Sequence, residues 1–186
     1  MREIIDKLCC SYENAVSHRI CENIISKFEN EETKNKVSNT VFNTQMIKIN
    51  PSCVNWNQID SKISEIISKN MPNYISVARE TVKLFPYNSF QDDGYSVIRF
   101  NKNNGYTNAS TNFNWNDMRG VAILSVLIFV NTVDEGGEIE FVGGKTIKPK
   151  QGDMVVFPSS WDILWKNNIP ISSDCYVIST TLFYKH

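Results

Sequence analysis

The sequence has no apolar run of the roughly 20 residues that a membrane span requires. Its most apolar stretch, 121–133, is interrupted by Ser125, Asn131 and Thr132 and is predicted to be a buried strand. The first ten residues carry charges and lack the basic-then-apolar layout of a signal peptide. We therefore expect a protein that is not secreted by a signal peptide and does not interact with a membrane.

A charge excess and a cysteine framework are also missing. Nineteen basic and 20 acidic residues give a formal charge of -1, which provides no strong field to recruit nucleic acid. The five cysteines are odd in number and form neither a disulfide framework nor two spaced pairs for zinc. These features favour a reducing compartment such as the cytoplasm and exclude nucleic acid as the expected partner.

The residues that are present indicate one globular domain. The 186 residues are 41% hydrophobic and 21% charged, as in ordinary soluble domains. Helical spacing predicts a first helix capped by Ser17 and ending near Asn30, and a second helix after 55–57 that Pro72 should break or kink. The second helix places four isoleucines on one face: Ile59, Ile63, Ile66 and Ile67. A strand is expected between the helices, at 41–49.

From Tyr95 onward the period becomes that of strands. The turns at 134–137 and 149–152 contain residues that tolerate positive φ or preset a turn. We expect an α+β domain spanning 1–186, with mainly helical support over 1–90 and a β core over 91–186. The asparagine-rich segment 101–116 is predicted to be a polar, mobile loop. The predicted strands of the β core are 95–100, 121–131, 138–142, 146–148, 154–157, 162–165 and 176–184.

A set of short motifs follows in a fixed order along the second half of the chain. They are Tyr95–Phe100, Gly105-Tyr106, Arg119 before the long apolar strand, Gly136-Gly137-Glu138, Pro149 to Asp153, Phe157-Pro158, and Pro170 ahead of Tyr176. This order resembles that of iron(II)/2-oxoglutarate oxygenases, most closely the small prolyl 4-hydroxylase-type members, many of them from phages. The resemblance implies a double-stranded β-helix (jelly-roll, cupin-like) core with the N-terminal helices packed on one sheet.

The same resemblance implies that the metal site is lost. These enzymes hold iron(II) with two imidazoles and one carboxylate. Their His-x-Asp falls here on Asn108-Ala109-Ser110, and their second histidine falls on Trp165. An indole N–H is a donor only and cannot ligate a metal. The basic residue that would bind the distal carboxylate of 2-oxoglutarate falls on Cys175, so no iron and no cosubstrate are expected.

Histidine content supports this interpretation independently of the register. The chain has two histidines, His18 on the first predicted helix and His186 at the C-terminus, and neither lies in a predicted strand. The simpler interpretations are that Asn108 and Ser110 belong to a solvated loop and that Trp165 fills the old pocket. Cys175 is then a buried, inert thiol.

Three functions follow from these observations. The leading hypothesis is a non-catalytic protein that binds a protein partner or assembles with copies of itself, for example as a regulatory subunit or a phage virion component. Phe113 and Trp115 are its candidate anchors. The alternative is a 2-oxoglutarate-dependent hydroxylase with atypical ligands, including one that borrows His186. A third hypothesis is a carbohydrate-binding jelly roll that uses Trp115, Trp161 or Trp165.

Overall fold

The computed structural model describes residues 6–32, 35–50, 53–82, 89–92, 94–116 and 120–184, with the backbone alone at 115–116. Helix α1 spans His18–Asn30 and follows Ser17, whose extended backbone marks the N-cap. Helix α2 spans Asn57–Thr81 and is preceded by a short 3-10 turn at Val54–Trp56. Both predicted helices are therefore confirmed. No helix in the described part of the chain has the length and apolar character to cross a membrane.

Of the break or kink predicted at Pro72, the break does not occur, because α2 continues to Thr81 as one helical segment. A proline inside a helix removes one backbone donor and crowds the preceding turn. Burial offsets this cost, since Met71, Tyr74 and Ala78 continue the buried face that begins at Ile59. The helix is thus maintained through the proline by packing against the sheet.

Two antiparallel sheets form the rest of the described structure. The order of the major sheet is β1 (Cys10–Tyr12), β10 (Met154–Pro158), β7 (Gly120–Phe129), β12 (Cys175–Tyr184), β5 (Tyr95–Phe100), β3 (Thr44–Ile49) and β2 (Val37–Asn39). Two short strands extend it: β4 (Phe90–Asp92) pairs with β12, and β6 (Trp115–Asn116) pairs with β7. The minor sheet has the order β11 (Trp165–Asn167), β8 (Ile139–Phe141) and β9 (Thr146–Ile147).

Most of the predicted strands are confirmed, including the short strands β8 and β9, whose bounds agree with the prediction to within one residue, and β3, which lies within the strand expected at 41–49. Strand β5 has the predicted bounds, and β7, β10 and β12 agree to within two residues. The strand predicted at 162–165 is displaced, because Trp161 and Asp162 form a turn and β11 starts at Trp165. Strands β1 to β3 lie in the region expected to be mainly helical, and they join the major sheet.

The major sheet separates two hydrophobic cores. On one face, Val126 and Ile128 of β7 pack with Ile24 and Phe28 of α1 and with the buried face of α2. On the other face, Leu127 and Phe129 of β7 contact the minor sheet in the interior of the β-helix. This arrangement is the predicted double-stranded β-helix with the N-terminal helices packed on one sheet.

The turn before β10 provides a stability test. Gly152 has φ +86, and a Cβ atom there would lie 2.3 Å from the carbonyl oxygen of Val16. Gly144 has φ +103 but has open space where its Cβ would be. Both Gly→Ala variants should lose stability from the positive φ. Gly152→Ala should lose about 2 kcal/mol more than Gly144→Ala, because the backbone must move.

Urea unfolding of the two variants would measure the difference in the free energy of unfolding. Equal losses would contradict the close approach of the Gly152 turn to the segment before α1. Val41→Ala is the reference for an ordinary surface change, since Val41 is 71% exposed and should lose less than about 0.5 kcal/mol.

Candidate functional site

Residues 108–110, which stand where the family has its His-x-Asp motif, lie beside β11, as the resemblance implies. Ser110 and Trp165 form an antiparallel bridge, with the Ser110 amide donating to the Trp165 carbonyl at 3.0 Å and the reverse bond at 2.9 Å. Two residues away, the Thr107 amide donates to the Asn167 carbonyl at 3.1 Å. The structure therefore brings together the positions predicted for the carboxylate ligand, Ser110, and for the second histidine, Trp165.

The side chains at these positions differ in exposure. Asn108 and Ser110 are exposed, whereas Trp165 is half-buried. The Trp165 ring packs edge-on against Phe157 at 5.8 Å between centroids, and Phe157 packs edge-on against Phe141 at 4.9 Å. A column of aromatic rings thus occupies the interior of the β-helix beside the expected ligand positions.

The indole nitrogen of Trp165 has no hydrogen-bond partner among the described residues, although the atom is buried. An unpaired buried N–H costs about 1–3 kcal/mol. The ring is retained at this position in spite of that cost, which indicates that its packing against Phe157 is favourable.

Cys175 lies at the start of β12, opposite Phe100 of β5. It is completely buried, and burial raises the pKa of its thiol from 9.0 to about 12, although a hydrogen bond from the Asn167 side chain opposes the shift. The thiol is therefore neutral at physiological pH. It offers neither a positive charge for a carboxylate nor a reactive thiolate.

The asparagine-rich loop is tied to its neighbours. The Asn101 side-chain amide donates to the Asn43 side chain at 2.8 Å, and the Asn103 amide donates to the Pro170 carbonyl at 2.7 Å. The rings of Tyr106 and Phe42 pack edge-on at 5.7 Å. The loop is polar, as predicted, and its first half is clamped between the β2–β3 turn and the loop after β11.

A polar network that the sequence did not reveal lies farther along the same loop. The Asn112 side chain donates to the Ser125 hydroxyl at 3.0 Å, and the Ser125 and Ser159 hydroxyls are 2.6 Å apart. The Thr111 hydroxyl donates to the Ser160 carbonyl at 2.7 Å. These bonds join 111–113 to the loop after β10, and only the strand register brings the serines together.

Of the two residues predicted to anchor a binding partner, Phe113 is described in full, whereas Trp115 is described by its backbone alone. Phe113 is 45% exposed, and Trp161 on the adjoining loop is 73% exposed. The side chain of Trp115, the residue Arg119 and the residue His186 lie outside the described residues. His18 is an exposed residue at the start of α1.

The residues at the expected metal position do not fit an iron(II) ion. Iron sites of this kind need imidazole and carboxylate donors, whereas this position has an amide, a hydroxyl and an indole. Within the described ranges, no group of three or more histidine, cysteine, aspartate or glutamate side chains could hold a metal ion. No catalytic step can be derived through iron from this set of side chains.

Comparison with known proteins defines the class of fold. No family model matches the sequence, and no curated protein matches it. Among solved structures, a viral collagen prolyl hydroxylase from Paramecium Bursaria Chlorella virus-1, in its 2OG complex, is 13% identical with a TM-score of 0.71, covering 98% of this chain and 99% of its own. A Pseudomonas putida prolyl-4-hydroxylase is 12% identical with a TM-score of 0.67, and the match covers 100% of this chain and 100% of its own.

A Trichoplax adhaerens prolyl hydroxylase, solved with a hypoxia inducible factor peptide fragment, is 14% identical with a TM-score of 0.63, covering 98% of this chain and 87% of its own. These likenesses extend over nearly the whole chain. The protein therefore has the fold of the prolyl 4-hydroxylase-like 2-oxoglutarate oxygenases, which confirms the resemblance found in the sequence.

Substitution of Trp165 tests how much the unpaired indole N–H lowers the free energy of unfolding. Trp165→Phe keeps an aromatic ring against Phe157 and removes the unpaired donor, so the free energy of unfolding should stay the same or rise by up to about 1 kcal/mol. Trp165→Ala should lose about 2–4 kcal/mol, because it removes the ring and leaves a cavity. Equal losses in the two variants, measured by urea unfolding, would mean that the N–H has a stabilising partner.

The raised pKa of the Cys175 thiol predicts that the stability of the protein depends on pH. The folded protein holds the thiol proton up to about pH 12, and the unfolded chain releases it near 9.0. The free energy of unfolding should therefore fall as the pH rises above 9, by up to about 1 kcal/mol per pH unit from this group. In Cys175→Val the fall should be shallower by that amount. Parallel curves for the two proteins would show that the thiol does not titrate differently on folding.

Proposed function

We propose that this protein is a non-catalytic member of the oxygenase-fold class that acts by binding or assembly. The observation that carries the proposal is the aromatic column at the expected metal position. Trp165 fills space beside Phe157 where the resemblance implies a metal-binding imidazole. A fold can persist while its site changes, because function depends on the site and not on the scaffold.

Coordination chemistry supports the loss of activity. The amide of Asn108 and the hydroxyl of Ser110 are neutral oxygen donors, and the indole of Trp165 has no lone pair to give. Neutral side chains alone rarely hold a transition metal. The chain has only two histidines, of which His18 is exposed at the start of α1 on the helical side of the molecule.

The cosubstrate position supports the same conclusion independently. Binding of 2-oxoglutarate relies on a charge-assisted bond to its distal carboxylate. Cys175 is buried and neutral, and its neighbours in the interior are apolar residues such as Phe100 and Val177. Loss of the cation and loss of the ligands are separate changes, and either would be enough to stop the reaction.

The scaffold that remains suits a binding or assembly role. Candidate roles are a regulatory partner and a structural component of a virion. The virion role is favoured by the resemblance to phage-type members. Exposed aromatic residues are typical anchors of binding surfaces, and Phe113 and Trp161 are such residues here.

The second candidate function is a hydroxylase with atypical ligands. It is favoured by the length of the likeness, since 98% of this chain superposes on a viral prolyl hydroxylase in its 2OG complex. This function would need imidazoles from His18 or His186, because the interior positions supply none. It predicts iron-dependent formation of succinate from 2-oxoglutarate.

Anaerobic titration with iron(II), with and without 2-oxoglutarate, distinguishes the two. We expect no stoichiometric iron in the anaerobic titration, and no succinate after oxygen, the oxidant that its formation requires, is admitted to the same samples. The triple variant Asn108→His, Ser110→Asp, Trp165→His should bind iron(II) at least about tenfold more tightly, because it restores the donor set of the family.

The double variant His18→Ala, His186→Ala is the matched control for borrowed ligands. Stoichiometric iron in the unmodified protein that disappears in this control would refute the non-catalytic proposal and support the hydroxylase. If the triple variant gains no affinity, the assignment of the ligand positions is wrong.

A further inference from the structure

Two exposed aromatic side chains sit on adjoining loops at one end of the β-helix. Trp161 is 73% exposed and Phe113 is 45% exposed. Their loops, 159–162 and 111–113, are joined because the Thr111 hydroxyl donates to the Ser160 carbonyl at 2.7 Å and accepts from the Phe113 amide at 3.0 Å. Exposed aromatic rings on loops that hydrogen bonds hold in place can stack against a ligand.

The strands next to these loops present a row of hydroxyl groups. Direct pairing places Thr181 opposite Ser125, and Ser179 opposite both Ser96 and Leu127. Residues directly opposite each other lie on the same face of a sheet. Leu127 belongs to the interior core, so these hydroxyl-bearing residues continue the interior face beyond its apolar end. We call this set, Ser96, Ser125, Ser179 and Thr181, the hydroxyl face.

The hydroxyl face and the two aromatic loops are linked. Asn112 donates to Ser125 at 3.0 Å, and Ser125 contacts Ser159 at the root of the second loop. Ser96, Ser179 and Thr181 are partly exposed, whereas Ser125 is completely buried, as are the apolar interior residues Leu127 and Val177. The polar end of the interior is therefore accessible at Ser96, Ser179 and Thr181, and Ser125 holds the loop of Asn112 in place.

The charge at this end limits the class of ligand. Among the described residues of the hydroxyl face and the two loops, Asp162 is the charged side chain, and it accepts a hydrogen bond from the Ser160 hydroxyl. Lys48 of β3 pairs directly with Ser96 and lies on the same face, so the described residues there bring one cation beside one anion. The two opposite charges give no net charge that would select a phosphate or a carboxylate over a neutral ligand. Neutral hydroxyl and amide groups with one carboxylate and exposed rings are complementary to the hydroxyls and apolar faces of sugars.

We propose that this open end of the β-helix binds a neutral oligosaccharide, with Trp161 and Phe113 stacking on its rings and the accessible residues of the hydroxyl face, Ser96, Ser179 and Thr181, bonding to its hydroxyl groups. The inference rests on the proposed non-catalytic binding function and names its ligand class. It assigns a use to exposed aromatic residues that contribute nothing to the cores. It also explains why the interior face changes from apolar to polar along β12.

The test uses the full chain and a panel of neutral hexasaccharides of glucose, xylose, mannose and N-acetylglucosamine. Binding is measured by calorimetry and by the shift in tryptophan emission without added metal. At least one sugar should bind, and the affinity should be nearly independent of salt, because the ligand is uncharged. Trp161→Ala should weaken binding by about tenfold or more through the loss of stacking, and Phe113→Ala should also weaken it.

Ile171→Ala is the matched control, since Ile171 is 51% exposed but lies on another loop; its binding should be unchanged. Because Trp161 is 73% exposed, its removal should leave the unfolding curve in place. Absence of binding to every sugar, or binding that Trp161→Ala does not alter, would overturn this inference. A protein partner that requires Trp161 while no sugar binds would also overturn it. The iron titration decides the non-catalytic function separately, whichever result the sugars give.

Discussion

The pairing of β7 with β12 is the constraint on which both cores depend. The two strands lie side by side over most of their length, and each is buried on both faces. Val126 and Ile178 face the helices, whereas Leu127 and Val177 face the interior of the β-helix. A slip of one residue in this pair would exchange the two sets. The register is therefore fixed by two hydrophobic layers at once, and this register also sets which residues reach the site.

The interior beside the expected ligand positions is filled mainly by aromatic and aliphatic side chains. The interior core contains Phe100, Phe141 and Phe157, and Trp165 packs against it. A metal centre needs polar donors and access for small molecules, whereas this core excludes both. The buried Trp165 N–H is the remaining imperfection. Buried polar side chains in this region are hydrogen-bonded: Ser125 bonds to Ser159, and Asn167 bonds to Cys175.

The sequence predicted those parts of the structure that depend on local pattern. Strand β5 and helix α1 were predicted closely, because apolar spacing and turn residues define them. The short edge strands β1, β2, β4 and β6 have two or three residues, too few for alternation to be visible. The order of motifs predicted that Ser110 lies beside Trp165. The hydroxyl face could not be predicted, because Ser96, Ser125 and Ser179 meet only through the strand register.

The same alternation explains why Arg99 does not reach the expected cosubstrate position at Cys175. Arg99 is one residue from Phe100 and pairs with Tyr176, the neighbour of Cys175. Because adjacent residues of a strand point to opposite faces, Arg99 lies on the helical side, where it bonds to Glu29 at 3.1 Å and to Gln45 at 2.8 Å. Tyr176 donates to the same Glu29 carboxylate at 2.8 Å. The guanidinium thus ties α1 to the sheet, and it cannot turn to the interior without leaving Glu29 and crossing the sheet.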